Sequence, residues 1–352
     1  FGRPTAKVYG AYGAERFGNV GAGAATPIGE HARVSLLADW ERTDGLPVLA
    51  PTHRLDNMGY GRISVFGHAS AELSSWWRAD LALRYLHNRM GWQEGEAHSR
   101  LLMPKLDLDF DLGRAWKLTG SVAYTSWESE VSTEQNDLLQ PTLFATWTAW
   151  GGRNRLSFGG DSRHSWFQRT GLDSTRTQWA YGFFVQDALT LGANWSFSAS
   201  ARLDHVEALD PVVSPKLALL YRPIDEIGLR LSLSRGFRAP TVQDRYEQAY
   251  GHSGAALRFG NPDLKPETST SLALSVEAAP HRTLDLFAGG SLSLVDDFIT
   301  LRYAGPWDDD PTKDKWERAN ILRAWIYGAE ARARWAPLAW LRLTAGYAYG
   351  GN

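Results

Sequence analysis

The order of apolar and polar residues alternates along most of the chain. From Lys105 to Leu112 the residues Leu106, Leu108, Phe110 and Leu112 share one face, while Lys105, Asp107, Asp109 and Asp111 share the other. From Asn194 to Asp204, Trp195, Phe197, Ala199, Ala201 and Leu203 oppose Ser196, Ser198, Ser200, Arg202 and Asp204. The same rhythm puts Leu229, Leu231 and Leu233 against Arg230, Ser232 and Ser234, and Leu341, Leu343, Ala345 and Tyr347 against Arg342, Thr344 and Gly346. In Thr283 to Leu294, Leu284, Leu286, Leu292 and Leu294 oppose Asp285, Ser291 and Ser293. A period of two places successive side chains on opposite faces of a strand. No stretch keeps the 3.6 period of a long helix.

This pattern predicts about 17 strands: 5–13, 17–25, 31–41, 57–68, 74–88, 98–111, 115–127, 139–150, 155–167, 176–189, 194–205, 214–222, 227–236, 266–279, 283–303, 317–335 and 340–349. Most run roughly 9–14 residues, beyond the ~5–6 of soluble sheets and suited to a tilted membrane strand. Short turns are expected at Pro27-Ile28-Gly29, 111–114, 151–154, 191–193, 223–226 and 279–281. Longer polar loops are expected at 42–56, 89–97, 128–138, 168–175, 206–213, 237–265 and 304–316. Short turns alternating with long loops are the asymmetry of an outer-membrane barrel. Trp76, Trp77, Trp116, Trp195, Trp335 and Trp340 lie near the short turns. An indole has an apolar body and one polar N–H, which suits a belt at the lipid–water boundary. A second face of Ser, Arg and Asp is too costly for a dry sandwich core, so it calls for a lumen that is wet or filled.

Composition narrows the reading. The 352 residues include 37 Lys and Arg against 39 Asp and Glu, a net charge of −2, so no basic field marks a nucleic-acid partner. Cysteine is absent, which removes disulfides, thiolate metal sites and cysteine nucleophiles. Hydrophobic residues make up 43%, too many for a disordered chain, and tryptophan reaches 16. There is no run of apolar residues long enough for a transmembrane helix, a test to which barrel strands are blind. Phe1-Gly2-Arg3-Pro4 has no signal-peptide character.

A set of motifs in the second half carries a resemblance. Phe184-Val185-Gln186-Asp187 and Ser214-Pro215-Lys216-Leu217-Ala218 precede Ser234-Arg235-Gly236-Phe237-Arg238-Ala239-Pro240-Thr241. A long loop then leads to Gly260-Asn261-Pro262-Asp263-Leu264-Lys265-Pro266-Glu267, followed by Asp297-Phe298-Ile299-Thr300, Asn320 and Tyr327-Gly328-Ala329-Glu330. This order resembles the barrel domain of TonB-dependent outer-membrane receptors, nearest in style to the cobalamin and siderophore transporters. The resemblance implies an all-β, transmembrane antiparallel β-barrel of 22 strands. It also implies an N-terminal plug with a TonB-binding box and further closing strands, none of which is in this sequence. Residues 1–352 are therefore expected to be a partial barrel domain of a longer protein.

Chemistry beyond that is sparse. Gly21-Ala22-Gly23-Ala24-Ala25-Thr26 falls short of a dinucleotide fingerprint and lies in a hairpin; Asn194-Trp195-Ser196 is a glycosylation sequon by pattern alone. No nucleophile elbow or paired-histidine metal motif occurs, so the chain is not expected to be an enzyme and needs no cofactor. Asp308, Asp309 and Asp310, with Asp314 nearby, offer hard oxygens to calcium, against the plainer reading of a solvated acidic loop. Arg245, Tyr246, Tyr250, His252, Arg258 and Phe259, with Trp307 and Trp316, combine cations and aromatic surfaces suited to an anionic ligand or metal chelate. Gly236, Phe237, Arg238, Pro240, Asn261, Pro262, Lys265, Pro266 and Glu267 belong to the motifs; Arg238 and Glu267 pair within the wall or meet the plug, and spacing leaves both open.

The resemblance implies active uptake of a scarce, bulky ligand such as a ferric siderophore, cobalamin or another metal chelate. Its partners would be the TonB complex, acting through the plug, and the bilayer with its lipopolysaccharide. The rival readings are a passive porin, a soluble all-β binding module, and a degenerate receptor serving as a scaffold with a partner chain at its open edges.

Overall fold

A strand in lipid must pair every backbone N–H and C=O with a neighbour, because the hydrocarbon offers no water. The computed structural model meets that demand with long ladders. It describes residues 3–45, 48–49, 54–55, 59–92, 95–130, 134–169, 172, 174–247 and 256–352. The chain divides into two units: Phe1–Ala145 with Asp161–Trp179, and Thr146–Gly160 with Ala180–Asn352.

The first unit contains β1 (Thr5–Tyr12), β2 (Gly18–Ile28), β3 (Ala32–Thr43), β4 (Tyr60–Ser74), β5 (Trp77–Trp92), β6 (Gly95–Asp111) and β7 (Trp116–Ser129). Each pairs antiparallel with the next. Next come β8 (Glu134–Ala149), β9 (Asn154–Arg169) and β10 (Arg176–Leu191), each divided between the units. The second unit continues with β11 (Trp195–Val206), β12 (Val212–Ile224), β13 (Ile227–Arg238), a one-turn helix α1 (Val242–Tyr246), β14 (Ala256–Phe259), β15 (Glu267–His281), β16 (Leu284–Trp307), β17 (Asp310–Leu338) and β18 (Leu341–Gly351). From Ala180 in β10 the ladder runs β10–β11–β12–β13–β15–β16–β17–β18, antiparallel throughout. Apart from β14 and a two-residue pair at Val48–Leu49 and Arg54–Leu55, these are the strands expected from the alternation.

Exposure runs opposite to that of a soluble sheet. Leu217, Leu233, Leu272, Leu292 and Tyr327 are cross-strand neighbours in one row over five strands. They are 48%, 48%, 47%, 41% and 43% exposed. The opposite face carries Lys216, Ser234, Ser271 and Ser293 in register, with the last two hydroxyls 2.8 Å apart. In the first unit Leu81, Leu106 and Val122 form a similar exposed row. Its other face pairs Arg78 with Asp80 at 2.6 Å and Lys117 with Asp109 at 3.3 Å. An apolar exterior over a polar interior is the arrangement of a membrane barrel. Leu274→Arg, in the middle of the apolar run, should therefore cost about 2–4 kcal/mol of folding stability in lipid vesicles. A denaturant titration of the intact protein measures it, with Ser275→Arg on the polar face as the milder control.

The short connections behave as expected. Gly113 and Gly192 take φ of +88° and +65° at two of them, a region open to glycine at little cost. Trp76, Trp116, Trp195, Trp335 and Trp340 are exposed beside such turns. Trp76, Trp77 and Phe110 contact one another, and Trp195 stacks on Tyr221 at 4.0 Å.

One loop expectation is corrected. Residues 304–316 are not a polar loop: β16 reaches Trp307 and β17 begins at Asp310. Tyr303 lies opposite Trp316, and irregularities after Tyr303 and Pro306 carry the ladder past Gly305 and Pro306. The expected loop at 89–97 is also largely absorbed by its flanking strands among the described residues, whereas that at 206–213 remains a connection over residues 207–211.

Candidate functional site

The strands β13 and β15 are immediate neighbours, yet the segment joining them makes a long detour. The four residues of β14 pair in parallel with Asp314–Glu317 of β17. At that level β16 holds one edge of β17, so β14 takes the other, above the last rung shared by β17 and β18 at Tyr327 and Gly351. The segment therefore crosses β15, β16 and β17 as an arm and returns. It crosses on the polar face, because its partners Glu267, Arg318 and Asn320 are there.

Local chemistry shapes the outgoing limb. Pro240 is fully buried, and Thr241 caps α1: its hydroxyl accepts the Asp244 N–H at 3.0 Å, and Asp244 accepts the Thr241 N–H at 3.1 Å. This reciprocal box satisfies donors that a helix start leaves bare. The returning limb is stapled to the outgoing one. Gly260 N–H donates to the Glu247 carbonyl at 2.7 Å and Asn261 N–H to that of Asp244 at 2.9 Å. Arg245 Nε donates to the Pro262 carbonyl at 3.3 Å. Leu264, 2% exposed, anchors the limb apolarly.

The two motifs meet here. Arg238 holds Glu267 by two parallel bonds, Nε to Oε2 at 2.7 Å and Nη2 to Oε1 at 2.8 Å, and reaches Asp244 at 3.2 Å. Glu267 Oε1 also accepts the Ile299 N–H at 2.6 Å. Arg238 and Glu267 pair with each other within the wall. The pair lies beyond the apolar band, at the rim. Burial alone would raise the Glu267 pKa; the Arg238 fork and the Ile299 N–H outweigh it and hold the carboxyl below the ordinary glutamate value. Asn320 brackets the Lys265 backbone, accepting its N–H at 2.9 Å and donating to its carbonyl at 3.0 Å. Pro240 follows the end of β13 as expected of a strand terminator, and Pro266 directly precedes β15. Pro262 is exposed mid-limb.

At the far end of the arm, aromatic and cationic groups gather. The ring of Phe259 is 6.2 Å from that of Trp307, and Trp316 packs edge-on to Tyr303 at 5.6 Å. Lys315 Nζ is 5.3 Å from the centre of Phe259, and Lys313 Nζ is 5.9 Å from that of Trp307. Arg258 is exposed and opposite Trp316 in register. Lys315 pairs with Glu317 at 2.6 Å, which raises its pKa and keeps it charged. Exposed pairs of this kind are weak, because water screens them.

The expected residues thus separate. Phe259 meets Trp307, while Arg258 is paired with Trp316 on the other face of the β14–β17 ladder. Arg245 is buried, engaged with Pro262, with its guanidinium 5.3 Å from the centre of the Tyr246 ring. Tyr250 and His252 lie outside the described residues. Asp308 and Asp309 are exposed at a hairpin turn, while Asp310 accepts the Thr312 hydroxyl at 2.6 Å and pairs with Lys313 at 3.3 Å. No group of three metal-ligating side chains exists among the described residues. Asp244, Glu247, Lys313, Lys315 and Arg318 were missed by sequence reasoning. The Thr-x-x-Asp spacing of the capping box was the one usable signal for them.

Known proteins share this fold. The family model described as TonB dependent receptor-like, beta-barrel matches residues 50–352. The iron-regulated outer membrane virulence protein of Vibrio cholerae is 28% identical over 257 residues, covering 66% of this chain and 38% of that protein. The vitamin B12 transporter BtuB of Photobacterium profundum is 24% identical over 357 residues, covering 95% of this chain and 55% of that protein. The chain thus spans about half or less of these relatives. Among solved structures, the siderophore receptor PirA from Pseudomonas aeruginosa superposes with a TM-score of 0.83 at 13% identity, covering 99% of this chain and 66% of that one. The copper transporter OprC gives 0.78 at 15% identity, with 99% and 61% covered. The chain belongs to the TonB-dependent receptors of the bacterial outer membrane, through their β-barrel.

Proposed function

We propose that this barrel serves active, TonB-dependent uptake of a bulky anionic metal chelate, captured at the outer rim by the arm and the β16–β17 hairpin. The observation that carries the reading is the cluster of Phe259 and Trp307 with Lys315 and Lys313 over the two rings. Flat aromatic faces take up an aromatic chelate, and the ammonium groups neutralise its charge. A relative named for siderophores supports this ligand class, while those named for vitamin B12 and copper supply the rival ligands for the test. The energy-coupling step belongs to TonB acting on a plug, both implied by the family.

Tryptophan-fluorescence titration of the intact, detergent-solubilised protein with ferric enterobactin, vitamin B12 and Cu²⁺ tests the proposal. Ferric enterobactin should bind, and the Lys313→Ala/Lys315→Ala double variant should bind it at least ~10-fold more weakly, a loss of about 1.4 kcal/mol. Failure to bind it, or equal binding by the variant, would sink this reading. Selective binding of vitamin B12 or Cu²⁺ would replace it.

A further inference from the structure

Two limbs stapled to each other still need an attachment to the wall at their far end, where the ligand-facing residues sit. β14 supplies four residues of parallel ladder, too little to fix an arm by itself. Directly after the rung that pairs Phe259 with Glu317 comes Arg318, a side chain no sequence motif singled out. Its Nε is 3.4 Å from Asp244 Oδ1 and its Nη2 is 3.8 Å from Glu247 Oε2. Both carboxylates are buried, at 7% and 4% exposure. Asp244 thereby stands between Arg238 from β13 and Arg318 from β17, with the crossing strands between them.

We propose that Arg318 is the positioning residue of the ligand-facing arm. It touches no ligand; it holds the two carboxylates of the outgoing limb over β17, and so sets Phe259 against Trp307 and Lys315. A planar, permanently charged guanidinium is suited to spanning two carboxylates at once, which a point-charge ammonium does poorly. The backbone bonds from Gly260 and Asn261 to Glu247 and Asp244 pass the constraint to the returning limb. Asn320 lies on the same face of β17 and holds Lys265, so Arg318 and Asn320 grip the arm at two levels. The proposal rests on the anionic-chelate reading for what the arm is for, while the clasp stands on geometry alone.

The experiment compares the intact protein with its Arg318→Ala and Arg318→Lys variants, each checked for a heat-resistant barrel on gels. Hydrogen exchange is followed in peptides covering 242–247 and 256–259, with 271–276 of β15 as the internal standard. Arg318→Ala should speed exchange in the two arm peptides at least ~10-fold and leave the β15 peptide unchanged. Ferric enterobactin affinity should fall at least ~10-fold in parallel, and Arg318→Lys should recover part of both losses. Unchanged exchange in the arm would overturn the clasp. Faster exchange with unchanged affinity would overturn the positioning role. Absence of binding by the unaltered protein would refute the chelate reading alone, with exchange still deciding the clasp.

Discussion

Gly260→Ala is expected to unseat the arm while leaving the barrel strands in place. A methyl group there would lie 2.6 Å from three main-chain atoms of α1: the carbonyl carbon of Arg245 and the amide nitrogens of Tyr246 and Glu247. Main chain cannot rotate aside as a long side chain does, so the limbs must separate. Separation breaks the Gly260 and Asn261 bonds to α1 and uncovers Leu264. The cost should reach the top of the roughly 1–3 kcal/mol that overpacking exacts, enough to detach a surface segment. Protease should then cut within 239–266 in the variant and spare the strands. Gly346→Ala is the control, since its nearest non-neighbour atom is at 3.8 Å and should accept a methyl group quietly.

Glu267→Ala should be the second severe change. It leaves the Arg238 guanidinium without its two-bonded partner and the Ile299 N–H without its acceptor. The Arg238 side chain is 46% exposed, so water takes up part of the freed charge, and the loss should be roughly 1–3 kcal/mol, set by the charge-assisted fork and the unmet Ile299 N–H. The thermal midpoint in detergent measures it, with Glu267→Gln falling between the two. The pH dependence has a definite sign. The folded pKa of Glu267 lies below the unfolded one, so its contribution is complete above the ordinary glutamate value. That contribution is lost as pH falls through the depressed folded value. The difference in midpoint between the unaltered protein and Glu267→Gln should stay constant at neutral pH and shrink only in that acidic window. A difference that grows with acidity would contradict the assigned charge state.

How much of this was legible in the sequence depended on distance. Strands such as 195–206 and 227–238 announce themselves because their faces differ in polarity at every step, and register then follows from keeping leucines on one side. The lipid-facing row through Leu233, Leu272 and Leu292 needs only that rule. The β16–β17 hairpin beyond Tyr303 was hidden because Gly305, Pro306 and three aspartates read as a loop; its partners are local, from Tyr303 with Trp316 to Trp307 with Asp310, but the irregularities after Tyr303 and Pro306 break the alternation that would announce them. Ala256–Phe259 is too short for its alternation to stand out, and its pairing with β17 is decided by tertiary structure. Arg245 and Arg318 show the same limit in side chains. Arg245 stands among aromatics as a ligand cation would, yet α1 turns it onto Pro262. Arg318 has the sequence surroundings of any strand arginine, yet it faces two buried carboxylates.

The route of the arm also sets an order of assembly. Residues 239–247 are synthesised before β16 and β17, yet Asp244 and Lys265 have their partners on β17 at Arg318 and Asn320. Contacts so far apart along the chain form late, after the intervening hairpin has inserted. Until then the segment between β13 and β15 hangs as an unfastened thread. A receptor caught at that stage would have β13 and β15 paired while Asp244 and Lys265 still lacked their partners on β17.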